Sequence, residues 1–478
     1  MRHARRLIGP LIAGLCFLAG CSTPLPPNVL LIVIDTLRAD RVDWYQGERH
    51  LTPFLGTLAA RGTVFWSAYA QSSWTSPSVA SLLTSRFQSQ HGVITWASVL
   101  SANEVTLPEI LKAHGYATGG FVGNRLLSAK AGFSQGFDAY ESFATADHPR
   151  PGEGKERAER VNQASLSWLD TLYAAGRPAT PAFLYMHYME PHMPYGPPSD
   201  LAEQMMRRHG KAAEEQQRWA HMLFTEPKLW ASPDADALRV IEDLYDAEVI
   251  SLDTQLRAFF AALEARGFLR NAVVVITADH GEELLDHGRC GHGMTLYNEV
   301  IRVPLLVLAP GHTQRTDVHD VVSLVDVAPT LLDFADISQP RSFEGHSARP
   351  LIGSPAAAFH RFTDAWHRFT APPSHPSVAY SQLLELADGK TTGPTHHSNA
   401  VVVGTRKLIV GTAGREGYDL QADPGERHPD ALEGDRQAAL QQMIGALLTR
   451  AGETAHRERA DALDERTKDA MRALGYGD

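Results

Sequence analysis

The 478-residue chain has little cysteine: Cys16, Cys21 and Cys290 are all it holds. Two of the three sit in an N-terminal apolar stretch, so the body of the chain has no disulfide framework and its fold must rest on its core. Long basic runs are also missing. The formal charge of −11 is spread along the chain, with no Lys/Arg block able to track a phosphate backbone, and nucleic acid is not an expected partner. No run reaches the roughly 20 apolar residues that a spanning helix needs. Repeats and low-complexity tracts are absent, and 44% hydrophobic with 21% charged residues excludes disorder as the default state. At this length a sizeable core is available.

What is present begins with MRHARRLIGPLIAGLCFLAGCS, in which Arg2, Arg5 and Arg6 precede an apolar run ending in Leu18-Ala19-Gly20-Cys21. This resembles a bacterial lipoprotein signal. It implies removal of residues 1–20 and lipidation of Cys21, which would anchor the protein in a lipid bilayer of the bacterial cell envelope, facing the periplasm or exterior. An ordinary signal peptide cut nearby is the alternative. Residues 21–27 then read as a Pro-rich tether.

The run VLLIVID, residues 29–35, is a strand buried on both faces that stops on Asp35, and AVVVITADHGEE, 272–283, stops on Asp279 and His280. PAFLYMHYMEPHMPY, 181–195, reads as a third buried strand running into a His-rich loop. VTLPEILKAHGYATGGFVGN, 105–124, reads as a helix and a strand ending at Asn124. A helix is expected over 244–267, closed by Gly267, a strand in RVPLLVLAPG, and a helix over 320–337. The alternation predicts a doubly wound α/β fold, in which ligands gather at the carboxyl ends of strands. The expected divisions are a main domain over 28–352, a connecting segment over 353–397 rich in Ala, His, Pro and Thr, and a C-terminal subdomain over 398–478. That subdomain should hold a short antiparallel sheet, turning at Gly404-Thr405-Arg406-Lys407, and a terminal helix.

Thr75 stands at a junction in SSWTSPSVASLLTSR, 72–86, just ahead of Pro77. The residues leave two readings open: an N-cap, or a nucleophile at a helix start whose free N–H groups hold an anion. A Thr hydroxyl is a poor nucleophile unless a metal stabilises its alkoxide. Asp35, Asp279 and His280, with Thr75, form a ligand set of hard oxygens and one nitrogen suited to a divalent ion. His192 and His292 are candidates for acid/base work, for substrate contact or for a second metal. His187 is read as a structural strand residue, Cys290 as incidental, and Arg38 with Asp40 as a local pair holding the Asp35 loop.

Five stretches in order, VIDTLRAD, WTSPSVASLLTSR, HYMEPHMPY, TADHGEELLDHGRCGHGMTLYNEVIRVPLLVLAPG and VSLVDVAPTLLDFADI, resemble the sulfatase family of the alkaline phosphatase superfamily. GYDLQADPGER, 417–427, resembles that family's C-terminal signature. The resemblance implies an alkaline-phosphatase-like α/β sandwich, with a large mixed, mostly parallel sheet between helices and a smaller C-terminal subdomain with an antiparallel sheet. It also implies a divalent metal, and an anionic ester attacked by a residue at the start of that helix. In the family this residue is a Cys or Ser oxidised to formylglycine within Cys/Ser-x-Pro-x-Arg; here Thr75 falls on the modified position, Pro77 on the proline and Val79 on the arginine. Oxidising Thr gives at best a ketone, so no formylglycine is expected.

Thr36 stands where the family carries a second Asp, and this loss of a carboxylate favours Zn or Mn over Ca or Mg. Asn124 lies near, and His292 at, places where sulfatases carry Lys, while His192 matches the His that contacts the ester. Asn124, His192 and His292 are therefore the expected substrate-binding residues. The implied function is a metal-dependent hydrolase of anionic esters with Thr75 as nucleophile and His192 or His292 protonating the leaving oxygen. Phosphate or phosphonate mono- or diesters are favoured, because a sulfo-Thr lacks the exit that formylglycine provides. Sulfuric ester hydrolysis, a phosphoethanolamine-type transferase on envelope glycans or lipids, and a catalytically dead anion-binding lipoprotein are the alternatives.

Overall fold

The computed structural model describes residues 26–45, 49–95, 97–143, 157–174, 180–207, 235–353, 378–386, 394–412, 414–429 and 434–451. The expected signal, Cys21 and the tether up to residue 25 lie outside the described residues. Among the described residues no helix is long and apolar enough to cross a membrane.

Among the described residues fourteen strands follow in chain order. They are β1 (Asn28–Ile34), β2 (Thr63–Tyr69), β3 (Ala117–Val122), β4 (Ala139–Ser142), β5 (Ala182–Tyr188), β6 (Ala272–Ala278) and β7 (Glu283–Leu284). After them come β8 (Cys290–Gly291), β9 (Arg302–Leu308), β10 (Thr316–Ser323), β11 (Val378–Leu386), β12 (Pro394–Val403), β13 (Arg406–Gly411) and β14 (Gly414–Asp419).

Eight of these form one sheet in the order β10-β2-β9-β6-β1-β5-β3-β4. Only β9 is antiparallel to its neighbours β2 and β6; the other pairings are parallel. The sheet is therefore mixed and mostly parallel. The near-continuous apolar runs in β1, β5 and β6 follow from this, since helices cover both faces and every residue of β5 and β6 is buried. The helices Thr75–Thr84, Leu107–Ala113 and Val327–Phe334 pack on one another, and Pro53–Ala59 and Ala158–Ala174 pack on the long helix Ala235–Ala265.

The second sheet is antiparallel, in the order β11-β12-β13-β14. The two-residue periodicity of β12 divides its side chains between two cores. Ala400 and Val402 join Tyr69, Leu296, Ile301 and Val321 of the main domain. Val401 faces the terminal helix Gly434–Ala451 through Leu440 and Ile444.

Three sequence expectations need correction. β11 lies within 353–397, read above as a connection, because only its pairing with β12 makes it a strand. Residues 320–323, read as the start of a helix, belong to β10, which is held by parallel pairing with β2. The turn before β13 occupies Gly404 and Thr405 alone, with Gly404 at φ 57, and pairing resumes at Arg406.

Leu31 lies at the centre of the main sheet, fully buried between Tyr185 of β5 and Val275 of β6. Leu31→Ala should lower unfolding free energy by about 2–5 kcal/mol, read as a fall in the urea midpoint. A change below about 1 kcal/mol would contradict this placement.

Candidate active site

The register of the central strands brings the two carboxylates together. Ile34 of β1 pairs with Ala278 of β6, so the next residues, Asp35 and Asp279, leave adjacent parallel strands side by side. Both are fully buried. On the other side β5 places His187 opposite Val33 of β1 and Val122 of β3. The loop after β3 supplies Asn124, and the loop after β5 supplies His192. All of these are carboxyl ends of parallel strands, the edge where this fold class gathers its ligands.

Asp35 is held through one oxygen. Its Oδ2 accepts the Asn124 amide at 2.6 Å and lies 3.1 Å from His187 Nε2, while His187 Nδ1 lies 3.1 Å from the Tyr185 hydroxyl. Asp279 is also held through one oxygen: Oδ1 accepts the backbone N–H groups of Thr36 at 3.3 Å and His280 at 2.9 Å. The other oxygens, Asp35 Oδ1 and Asp279 Oδ2, are buried without hydrogen-bond partners. They lie 3.8 and 3.6 Å from His280 Nε2, and Thr75 Oγ1 lies 3.3 Å from the same nitrogen. His280 Nδ1 sits 2.8 Å from the Gly281 carbonyl and donates to it, which leaves Nε2 facing the carboxylates.

Thr75 is the first residue of its helix. The N-cap is Trp74, and no side chain caps the helix. The capping reading of Thr75 is thereby corrected, since its hydroxyl faces His280. Ser78, one turn along, donates its hydroxyl to the Asp279 carbonyl at 2.6 Å and ties this helix to the end of β6. Trp74 packs edge-on to His292 at 5.5 Å between ring centroids. The close approach requires Gly293, at φ 81, where a Cβ would come within 2.1 Å of the indole.

Beyond Thr75 lies a second group. The His292 ring is 4.6 Å from that of His280 and 4.9 Å from that of His192. Its Nδ1 donates to Glu282 Oε1 at 2.8 Å. Burial would lower the pKa of His292, but the charge and hydrogen bond of Glu282 raise it. Burial opposes ionisation of Glu282 too, yet His292 holds that carboxyl below its usual range. His192 differs: burial pushes it down to about 4 against the opposing charge of Asp35, and its Nδ1 faces the Met193 carbonyl. The Glu282 pairing favours the charged form of His292, whereas burial disfavours that form for His192.

The carboxylates conflict electrostatically. Burial favours a neutral Asp35, but the surrounding His192, His187 and His280 hold it well below the usual range. Asp279 is pushed up by burial and by the adjacent Asp35 charge. A divalent cation fits this arrangement, because two partnerless carboxylate oxygens, an imidazole nitrogen and a hydroxyl converge where a buried positive charge would resolve the repulsion. On distance alone Asp35, His187 and Asp279 also make a three-donor group. The partnerless oxygens are those closest to His280 Nε2, however, so His187 is better assigned to orienting Asp35.

The structure thus brings Asp35, Thr75, Asp279, His280, His192 and His292 together at one end of the sheet. Asn124 has a different task from the expected substrate contact: its amide N–H holds Asp35 and its oxygen accepts Leu126 N–H at 2.9 Å. Sequence reasoning missed Glu282 and undervalued His187. The signal for His187 was its place near the carboxyl end of an otherwise apolar strand; Glu282 offered only its spacing of ten from His292. Arg38 does pair with Asp40, and its guanidinium also reaches Asp286 and the Glu282 carbonyl. The Cys290 thiol is pushed up by burial and by Glu282, which leaves it inert.

Comparison with known proteins agrees with this architecture. The sulfatase family model matches residues 27–337. Arylsulfatase K of Bos taurus is 28% identical over 360 residues, 68% of this chain, and the match spans 66% of that protein. An arylsulfatase of Clostridium perfringens is 26% identical over 407 residues, 73% of this chain and 83% of that one. Among solved structures, BT4656 in complex with its substrate D-glucosamine-2-N,6-O-disulfate superposes with a TM-score of 0.69 at 19% identity, covering 92% of this chain and 100% of that one. A phosphonate monoester hydrolase from Silicibacter pomeroyi superposes with a TM-score of 0.65 at 21% identity, covering 91% and 99%. With its family match spanning the whole parallel core and every strand end described above, the chain belongs to the sulfatase family of the alkaline phosphatase superfamily.

Proposed function

We propose that this sulfatase-family hydrolase cleaves phosphate or phosphonate mono- or diesters through a covalent Thr75 ester, with His292 as general acid. The observation that carries the proposal is the Thr75 hydroxyl, 3.3 Å from His280 Nε2 beside two partnerless carboxylate oxygens. A Thr side chain cannot become formylglycine, and the fully buried Val79 stands where the family pattern has its arginine. An unmodified hydroxyl must then do the work.

Asp35, Thr75, Asp279 and His280 would hold a divalent ion, with Zn or Mn favoured by the nitrogen ligand and by Thr36 in place of a carboxylate. When bound, that ion supplies the positive charge that lets the Thr75 hydroxyl ionise and that draws in the ester oxygens. Ionised Thr75 Oγ1 attacks phosphorus in line, the bond from phosphorus to the leaving oxygen breaks, and His292 gives that oxygen a proton. Water then attacks phosphorus, returns a proton to His292, and releases Thr75. Neutral His192 is placed to hydrogen-bond the ester oxygens.

Sulfuric ester hydrolysis is the second reading. Curated relatives matching about two thirds of the chain carry the name arylsulfatase, which favours it. Against it, a sulfated Thr has no hemiacetal exit and must be opened by direct attack of water. We also propose a lipid-anchored location in the bacterial envelope, supported by Leu18-Ala19-Gly20-Cys21 after a basic, apolar leader.

Thr75→Ala should reduce turnover roughly 10³-fold or more while leaving the fold intact by circular dichroism; full retention of activity would remove Thr75 from the chemistry. Chelation should abolish activity, with Zn or Mn restoring it better than Ca or Mg, and metal analysis of Asp279→Asn should find the bound ion lost. On a matched panel, metal-replete protein should turn over aryl phosphate or phosphonate esters faster than aryl sulfates. Turnover of sulfates alone would transfer the assignment to the second reading. Cys21→Ala should release the protein from the membrane fraction of an expressing bacterium, and unchanged partitioning would refute lipid anchoring at that residue.

A further inference from the structure

GYDLQADPGER takes no part in the chemistry above, yet its side chains reach the loop that carries Glu282 and His292. The centre of this contact is an ion pair between Lys407 of β13 and Glu426, 2.6 Å apart, with both side chains fully buried. Burying two charges is costly unless their remaining hydrogen-bonding groups are also satisfied. Here the active-site loop helps to satisfy them. Glu426 Oε2 accepts the Asn298 backbone N–H at 2.5 Å, and Lys407 Nζ donates to Asn298 Oδ1 at 3.1 Å.

The same loop is gripped at further points. His287 stacks on Tyr297 with centroids 3.7 Å apart, and its two nitrogens lie 2.5 Å from Glu299 Oε1 and 3.0 Å from the Glu426 carbonyl. The Tyr297 hydroxyl donates to Glu416 Oε2 at 2.9 Å, and Arg427 donates to the Asp286 carbonyl. At the near end, Arg38 holds the Glu282 carbonyl at 3.0 Å. His292 lies between these anchors on a loop whose regular structure ahead of that residue is limited to the two-residue strands β7 and β8.

We infer that Lys407 and Glu426 are positioning residues: the C-terminal sheet fixes the 282–299 loop and thereby sets His292 against Thr75. This inference rests on the reading of His292 as the general acid. A misplaced acid penalises esters whose leaving group needs a proton and spares those whose leaving group departs as a stable anion. That pattern separates positioning from a general loss of folded protein, which lowers all rates alike.

The test is the double variant Lys407→Met/Glu426→Gln, which removes both charges and leaves no uncompensated buried ion, compared with His292→Gln and the parent protein. For each, kcat and KM are measured on an aryl phosphonate series running from 4-nitrophenyl to unsubstituted phenyl. The double variant should lose about 10- to 100-fold in kcat on the phenyl ester and less than about 3-fold on the nitrophenyl ester, with KM little changed. His292→Gln should show the same slope, more steeply. An equal loss across the series in the double variant, with a steep slope in His292→Gln, overturns the positioning role alone. A flat response in His292→Gln overturns the acid assignment and this inference with it. If the double variant lacks a cooperative unfolding transition, Tyr297→Phe is measured instead. It should give the same slope at about 3- to 10-fold, and a flat profile there overturns the inference.

Discussion

Two carboxylates buried side by side are the constraint on which this structure turns. Parallel pairing of β1 with β6 sets Asp35 beside Asp279, and a largely apolar sheet beneath them removes the water that would screen them. Each is given protein hydrogen bonds on one oxygen only. Surrounding elements answer that placement: Asn124 and His187 steady Asp35, backbone N–H groups steady Asp279, and Ser78 ties the Thr75 helix to the same strand end. An arrangement that is repulsive by itself becomes favourable around a cation, so these carboxylates are suited to hold a divalent ion.

A second division separates the proposed nucleophile from the proposed acid. Thr75, Asp35, Asp279 and His280 sit at strand ends and a helix start. His292 and Glu282 sit on a long connection between β6 and β9, whose order derives from contacts with other parts of the chain. The C-terminal sheet supplies much of that order. Its alternating faces let one β-sheet join the main core through Ala400 and Val402 while packing the terminal helix through Val401. The subdomain's described residues reach the 282–299 loop without themselves lining the carboxylate site.

How far the site could be read in advance depended on the range of the interactions involved. Asp35, Asp279 and His280 were legible because each ends a run of consecutive apolar residues, a local pattern that marks a doubly covered parallel strand. Thr75 was legible as a helix start, but its orientation was not: whether its hydroxyl caps the helix or faces His280 depends on where β6 ends in space. Asn124 was expected as a substrate contact from its place near a Lys of the family pattern; its amide is occupied by Asp35, 89 residues away in sequence. Strand β11 was missed for a different reason: its apolar VAYSQLLEL lies inside a longer stretch dominated by Ala, His, Pro and Thr, and its pairing with β12 is a tertiary contact.

The sequence by itself determined the chemistry that is possible. Thr75 at the position that the family pattern modifies points away from an aldehyde, apolar runs ending in Asp and His point to a parallel sheet with ligands at its carboxyl edge, and scarce cysteine leaves the fold to its core. Only the tertiary structure decided which groups share a charge. The pairing of His292 with Glu282, the grip of Asn124 and His187 on one oxygen of Asp35, and the Lys407–Glu426 clamp are contacts set by cross-strand register and by packing of one sheet on another. Electrostatic effects of this kind fall off within a few ångströms in space and are indifferent to separation along the chain, so local sequence patterns carry no trace of them.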